Sequence, residues 1–306
     1  MFGCLKKQKS SNIAISNIGR ESRVKRRFLI SSIVYYNGGV IDKEVFASVV
    51  DLVSNKFGMT FDEFSYCYMA PPKTPRSSCR FIGKDGKFSK LRLRRFYESM
   101  TDLAAENGSI FFGFTKYIDG WYWKSIDIEY IIWFHPDPGP NPNSGRFTVE
   151  LSDKAAESIS LTKLVHEIIG LLKNNGLNCY YGITVRMADF EHPDAYLDGI
   201  FTEWTTPEQK MLIRVLNDNK EHLDERLWDI SWGNIINRKH FVDEHTVEYL
   251  IKVLGKDNVI MLGDDVVWFN LKEDVRKFDK ERSKTRIKLL KYFDSKLALP
   301  EEEHND

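Results

Sequence analysis

Several things are missing from this 306-residue sequence, and each absence excludes a class of protein. No apolar run reaches the roughly 18 residues that a bilayer-spanning helix requires. Even the most apolar stretch, residues 109–134, is broken by Lys116, Asp119, Lys124, Asp127 and Glu129, so no membrane span is expected. Cysteine is scarce. Cys4, Cys67, Cys79 and Cys179 are the four present, and no two have Cys-x-x-Cys spacing, which argues against a zinc cluster or a dense disulfide framework. No apolar segment precedes the lipoprotein-like Met1-Phe2-Gly3-Cys4, so an export signal is not expected and a reducing cytoplasm is. There is no Gly-x-Gly-x-x-Gly, Walker loop, Gly-x-Ser-x-Gly or His-Glu-x-x-His, since His166-Glu167 is followed by Ile168-Ile169-Gly170. Dinucleotide redox chemistry, nucleotide hydrolysis and zincin proteolysis lose their usual signatures.

What is present is a chain able to fold. Forty residues are aromatic (20 Phe, 7 Trp, 13 Tyr), and the 44 basic side chains are balanced by 44 acidic ones. That balance is a cancellation. Residues 1–27 carry eight basic side chains against Glu21 alone, and the acidic excess lies elsewhere, with Glu301, Glu302, Glu303 and Asp306 at the end. A terminal arm of this kind is expected to be solvated and poorly ordered. Contact with an anionic membrane surface, at about 1 kcal/mol per basic residue, or with nucleic acid is the alternative role.

Periodicity divides the rest. The run at 28–36 (FLISSIVYY) reads as a strand. Asp42 then caps an amphipathic helix with Val45, Phe46, Val49, Val50 and Val53 on one face. Residues 63–69 alternate as a second strand ended by Pro71-Pro72, a loop runs through Pro75, and a helix is predicted over 89–106. Strands at 109–117 and 125–134 flank Asp119-Gly120, a strong hairpin signal. Four of the ten prolines fall within 135–145, so that stretch reads as a linker or long hairpin loop. The opening pattern then recurs: a strand at 146–151, a helix at 161–175 with Leu164, Ile168, Leu171 and Leu172 on its apolar face, and a strand at 178–185. Beyond it are expected a helix at 207–216, a strand through 227–232, a short helix near 247–254, a hairpin over 259–271, and a charged helix over 276–297 with Ile287, Leu289, Leu290, Phe293 and Leu297 apolar. The expected class is α/β, with α+β as its variant, built from two similar strand-helix-strand halves with mixed sheets. The divisions are 1–27 (basic arm), 28–140 (first half), 141–275 (second half) and 276–306 (charged helix and acidic tail).

Few side-chain groupings suggest chemistry. His-Pro-Asp occurs at 135–137 and again at 192–194 after Glu191. Proline holds such a tripeptide extended, and His192 with Asp194 could ligate a divalent cation in a metal-assisted hydrolase or nuclease. A turn in which Asp bonds nearby backbone is the simpler reading. His240, Glu244 and His245 would share a surface if their segment were helical. Asp127 and Glu129, two apart in a predicted strand, put two carboxylates on one face. None of these groups has a partner cluster recognisable from spacing, so no catalytic residue, metal or cofactor is assigned.

Two stretches stand together near the C-terminus: LWDISWGNIINRKHF at 227–241 and LGKDNVIMLGDDVVWFNL at 254–271. In this order they resemble the bacterial type VI secretion immunity family, a group of polymorphic-toxin immunity proteins. The resemblance covers about the second half of the chain, and its motifs are structural. It implies a cytoplasmic, non-enzymatic α/β protein that binds a cognate effector toxin and neutralises it; a nucleic-acid partner is not the expected one, and the oligomeric state is left open. The basic arm and the charged last helix are not part of the family pattern. For such an inhibitor the exposed aromatics and acids at two turns are the natural contacts: Asp119, Trp121 and Trp123 at one, Asp264 and Asp265 at the other.

Overall fold

The first strand, β1 (Phe28–Asn37), sets the centre of the molecule. Ile30, Ser32, Val34 and Tyr36 face one side, Ser31, Ile33 and Tyr35 the other, and all seven are buried. A strand buried on both faces needs no polar alternation, which is why this segment reads as a continuous apolar and aromatic run. The computed structural model describes residues 28–39, 41–70, 74–82, 94–95, 109–117, 128–136, 144–188, 222–263, 265–279 and 282–297. The expected basic arm, the helices at 89–106 (apart from residues 94 and 95) and 207–216, and the acidic tail lie outside these residues.

Asp42 caps α1 (Lys43–Phe57), its carboxylate accepting the N–H groups of Glu44 and Val45 at 2.9 Å each. Gly58 ends the helix at φ 64°, donating to Val53 O. The predicted face, Val45 through Val53, is buried. Next come β2 (Glu63–Ala70) and β3 (Thr74–Ile82). The loop expected through Pro75 is therefore a strand. It is tolerated because β3 forms one edge of the sheet and the pairing slips between Tyr68 and Met69, where Met69 meets Pro75.

The hairpin strands are β4 (Ser109–Tyr117) and β5 (Ile128–Pro136), paired antiparallel. On β4, Gly113 sits opposite Trp133, and a Cβ there would lie 2.6 Å from Ile132 O and 2.8 Å from the indole. Gly113→Ala is thus expected to cost about 1–3 kcal/mol through overpacking, read as a lower denaturant midpoint. An unchanged midpoint would show that Trp133 moves aside. His135 and Pro136 extend β5, and Ser144 and Gly145 belong to β6 (Ser144–Ser152), which pairs with it. The ends of the proline-rich stretch are therefore strand.

Ser160 caps α2 (Leu161–Asn174), whose Leu164, Ile168 and Leu172 are fully buried, and β7 (Asn178–Ala188) follows. Then come β8 (Gly233–Asn237), α3 (Thr246–Leu254), the paired β9 (Val259–Met261) and β10 (Val266–Asn270), and α4 (Lys284–Tyr292). Helices and sheet are both present, as the α/β class requires. The sheets expected to be mixed are instead one ten-stranded antiparallel sheet in the order β3-β2-β4-β5-β6-β1-β7-β8-β10-β9. Each half opens strand, helix, strand, but β1 lies between β6 and β7 while β2 lies four places from β1. The two openings thus share local order without sharing topology.

Both faces carry a core. Helices α1 and α2 lie side by side on one, joined at the surface by Lys56 and Glu167, over Val34, Phe64, Phe114, Ile132 and Phe147. Leu250 and Leu254 of α3 and Leu289 of α4 cover the other, over Ile33, Ile183, Ile236, Val267 and Phe269. The last helix is shorter than expected. Its start is set by Ser283, whose Oγ accepts Arg286 N–H, and single 3-10 turns lie on either side. Arg286, Leu289 and Phe293 face inward, whereas Ile287 is 42% exposed.

Candidate functional site

The Trp-Gly-Asn stretch is a structural knot before and along β8. Leu227 makes an isolated bridge to Leu297, and the strand itself begins only at Gly233. The predicted strand at 227–232 is displaced because its side chains turn the chain. Asp229 accepts its neighbour's Ile230 N–H at 2.7 Å, and Asn234 both accepts from Ser231 N and donates to Ser231 O. Gly233 is required by close approach, since a Cβ there would meet Thr184 at 3.0 Å and Trp268 at 3.3 Å. Trp232 Nε1 donates to Glu273 O at 2.6 Å. Beneath these, Arg286 reaches across from α4, with Nη2 on Asp229 at 2.6 Å and Nε on Ile230 O at 2.8 Å.

The end of β8 is fastened in the same way. Asn237 donates to Tyr180 O and Asp224 O, and its Oδ1 accepts Lys239 N–H. His240 is fully buried; its Nδ1 accepts Asn237 N–H at 3.0 Å, which leaves Nε2 to donate to Leu223 O at 3.0 Å. Burial pushes the imidazole down to about 4. Elsewhere in the interior, Asp62 takes Lys116 Nζ and Tyr117 N–H, and Glu63 takes the Tyr117 hydroxyl at 2.9 Å. These carboxylates are held by structural donors.

Around this knot the surface is charged and concave. A groove of about 450 Å³ is lined by Glu225, Arg226, Lys239, Ser295 and Lys296. Lys239 Nζ bridges Asp224 at 2.5 Å and Glu225 at 3.4 Å, and those carboxylates raise its pKa. Arg226 donates to Ser295 O and Lys296 to Lys239 O.

The fold has a solved counterpart. The structure titled "Pseudomonas aeruginosa T6SS protein PA0821" superposes with a TM-score of 0.52 and 9% sequence identity, covering 92% of this chain and 76% of that one. At this identity the likeness is one of fold. No family model matches the sequence, and no curated protein does.

Asp119, Trp121, Trp123, Asp264, His192 and Asp194 lie outside the described residues, as do Asp127 and Asp137. Asp265 is exposed and pairs with Arg238 at 3.4 Å, a surface contact worth about 0–1 kcal/mol. β4 ends and β5 begins at the end of the sheet where β1 starts, whereas β10 begins at the opposite end, with four strands between the two hairpins. The grouping of His240, Glu244 and His245 that a helical segment would give does not form. A 3-10 turn holds His240 inside, α3 begins only at Thr246, and His245 stands exposed beside Glu244 at 3.6 Å. Among the described residues no cluster of three or more potential metal ligands occurs, and no helix is long and apolar enough to cross a membrane. The groove was missed because its cations come from three separate segments, none of which forms a motif by itself.

Proposed function

We propose that this chain is a non-enzymatic, cytoplasmic immunity protein of a type VI secretion system, which binds a cognate effector toxin and occludes its active site. The observation that carries the reading is the shared fold with the Pseudomonas aeruginosa T6SS protein, which spans nearly the whole chain. The two C-terminal stretches add to it, since side chains within 227–241 tie the segment before β8 to α4 through Asp229 and to the Glu273 carbonyl through Trp232. A stoichiometric blocker needs a rigid, pre-organised surface, because ordering loops on binding subtracts from affinity. The hydrogen-bonded knot supplies that rigidity. Polar interior groups such as Asp229, Asn234 and His240 serve it as structural ties.

Co-expression with the effector encoded beside this gene tests the reading. Growth should be restored, and the two proteins should co-elute as a complex with a dissociation constant on the order of nanomolar, as interfaces of standard size allow. Continued killing without a stable complex would remove the proposal.

A further inference from the structure

Among the described residues, the groove at the end of β8 holds two cations that no carboxylate meets. Arg226 Nη1 lies 2.7 Å from Ser295 O, and Lys296 Nζ lies 2.8 Å from Lys239 O. A carbonyl positions a cation without cancelling its charge. Among the described residues neither Arg226 nor Lys296 has a carboxylate partner, in contrast to Lys239, which bridges Asp224 and Glu225. Both side chains are thus pinned beforehand, which lowers the entropy lost when a ligand arrives.

We propose that this groove seats an acidic segment of the partner, one or two Asp or Glu side chains lying between Arg226 and Lys296. The proposal rests on the immunity reading, with the effector as the source of the segment. Arg226, Lys239 and Lys296 against Asp224 and Glu225 leave a net positive excess, carried at Arg226 and Lys296, that an incoming carboxylate would match. With one guanidinium nitrogen on the Ser295 carbonyl, the opposite edge can meet a carboxylate through two parallel hydrogen bonds. Nucleic acid fits less well. A strand-binding groove tracks many phosphates and stacks bases on aromatic rings, whereas among the described residues this lining contains Glu225 and no aromatic side chain.

Isotopically labelled full-length chain is titrated with a hexaglutamate peptide, and the effector affinity is measured in parallel. The peptide should shift the amide signals of Glu225, Arg226, Lys239 and Lys296, and an Arg226→Glu/Lys296→Glu variant with an unchanged melting profile should lose that response. The same variant should bind effector about tenfold or more weakly. Arg282→Glu, at an exposed side chain beyond the far end of α4, should stay within about twofold. The proposal is overturned if the double variant holds the effector as tightly as the wild type and the peptide shifts no groove signal. Tighter binding of inorganic phosphate or a single-stranded oligonucleotide at these residues overturns the carboxylate assignment. A groove that answers the peptide in a chain that ignores the effector sinks the immunity reading and leaves the acidic-segment site standing.

Discussion

Asp229→Ala is expected to destabilise the protein by about 3–5 kcal/mol, because it removes the carboxylate that meets the nearly buried Arg286 guanidinium. The two side chains are only 11% and 10% exposed and meet at 2.6 Å. Coulomb attraction alone does not justify the figure, since desolvating both groups consumes much of it. The asymmetry does: removing one partner keeps the desolvation cost of the other and discards the compensation. Arg286 retains its bond to Ile230 O, which softens the loss without neutralising the charge. An Asp229→Leu/Arg286→Met double variant should therefore lose much less than the two single changes summed. Chemical denaturation of the four proteins at neutral pH measures this coupling. A loss below about 1 kcal/mol in Asp229→Ala would show that water reaches the pair in solution. The pair also ties the segment before β8 to α4, which leads into Ser295 and Lys296, so its loss should loosen the groove wall as well.

Acid should destabilise the fold in a defined window. His240 is held at about 4 chiefly by burial, against backbone hydrogen bonds that favour its charged form, whereas an unfolded-chain histidine titrates near 6.5. Between those values the unfolded chain binds a proton that the folded chain refuses. The stabilisation is therefore complete above about pH 6.5 and is lost as pH falls toward 4, reaching about 3 kcal/mol. The geometry gives the same sign, because a proton on Nδ1 would point at Asn237 N–H, which that nitrogen accepts. Asp274 titrates well outside this window, held at about 2 by Arg276. A His240→Asn variant should be less stable at pH 7.5 and should have a flatter profile from 6.5 to 4. Parallel profiles for variant and wild type would assign the acid sensitivity to other groups.

Local patterning was legible wherever one residue dictates a local geometry. Asp42 and Gly58 bracket α1, the valine and phenylalanine spacing marks its buried face, and β-branched runs mark β1 and β4. The errors came where neighbours decide. Pro75 argues for a loop until an edge position in the sheet makes its missing N–H tolerable. The segment at 227–232 has strand-forming residues, yet Asp229 and Asn234 bond the local backbone and delay the strand to Gly233. The long last helix was cut short because Ser283 supplies a cap that a charged, helix-favouring composition conceals.

The candidate site was the least legible part. Asp265 was identified as exposed and acidic, which it is, and it pairs with Arg238 at 3.4 Å, whereas Asp119 lies outside the described residues. By itself the sequence determined local elements such as α1, α2, β1 and β4, the mix of helix and sheet, and a neutral total that conceals local charge, since these follow from short-range periodicity, capping and composition. Only the tertiary structure decided that all ten strands join one antiparallel sheet with β1 at its centre, that His240 is neutral inside, and that Arg226, Lys239 and Lys296 share a groove. Those outcomes depend on contacts between residues far apart in the chain, where burial and strand direction set the energy and local propensity is silent.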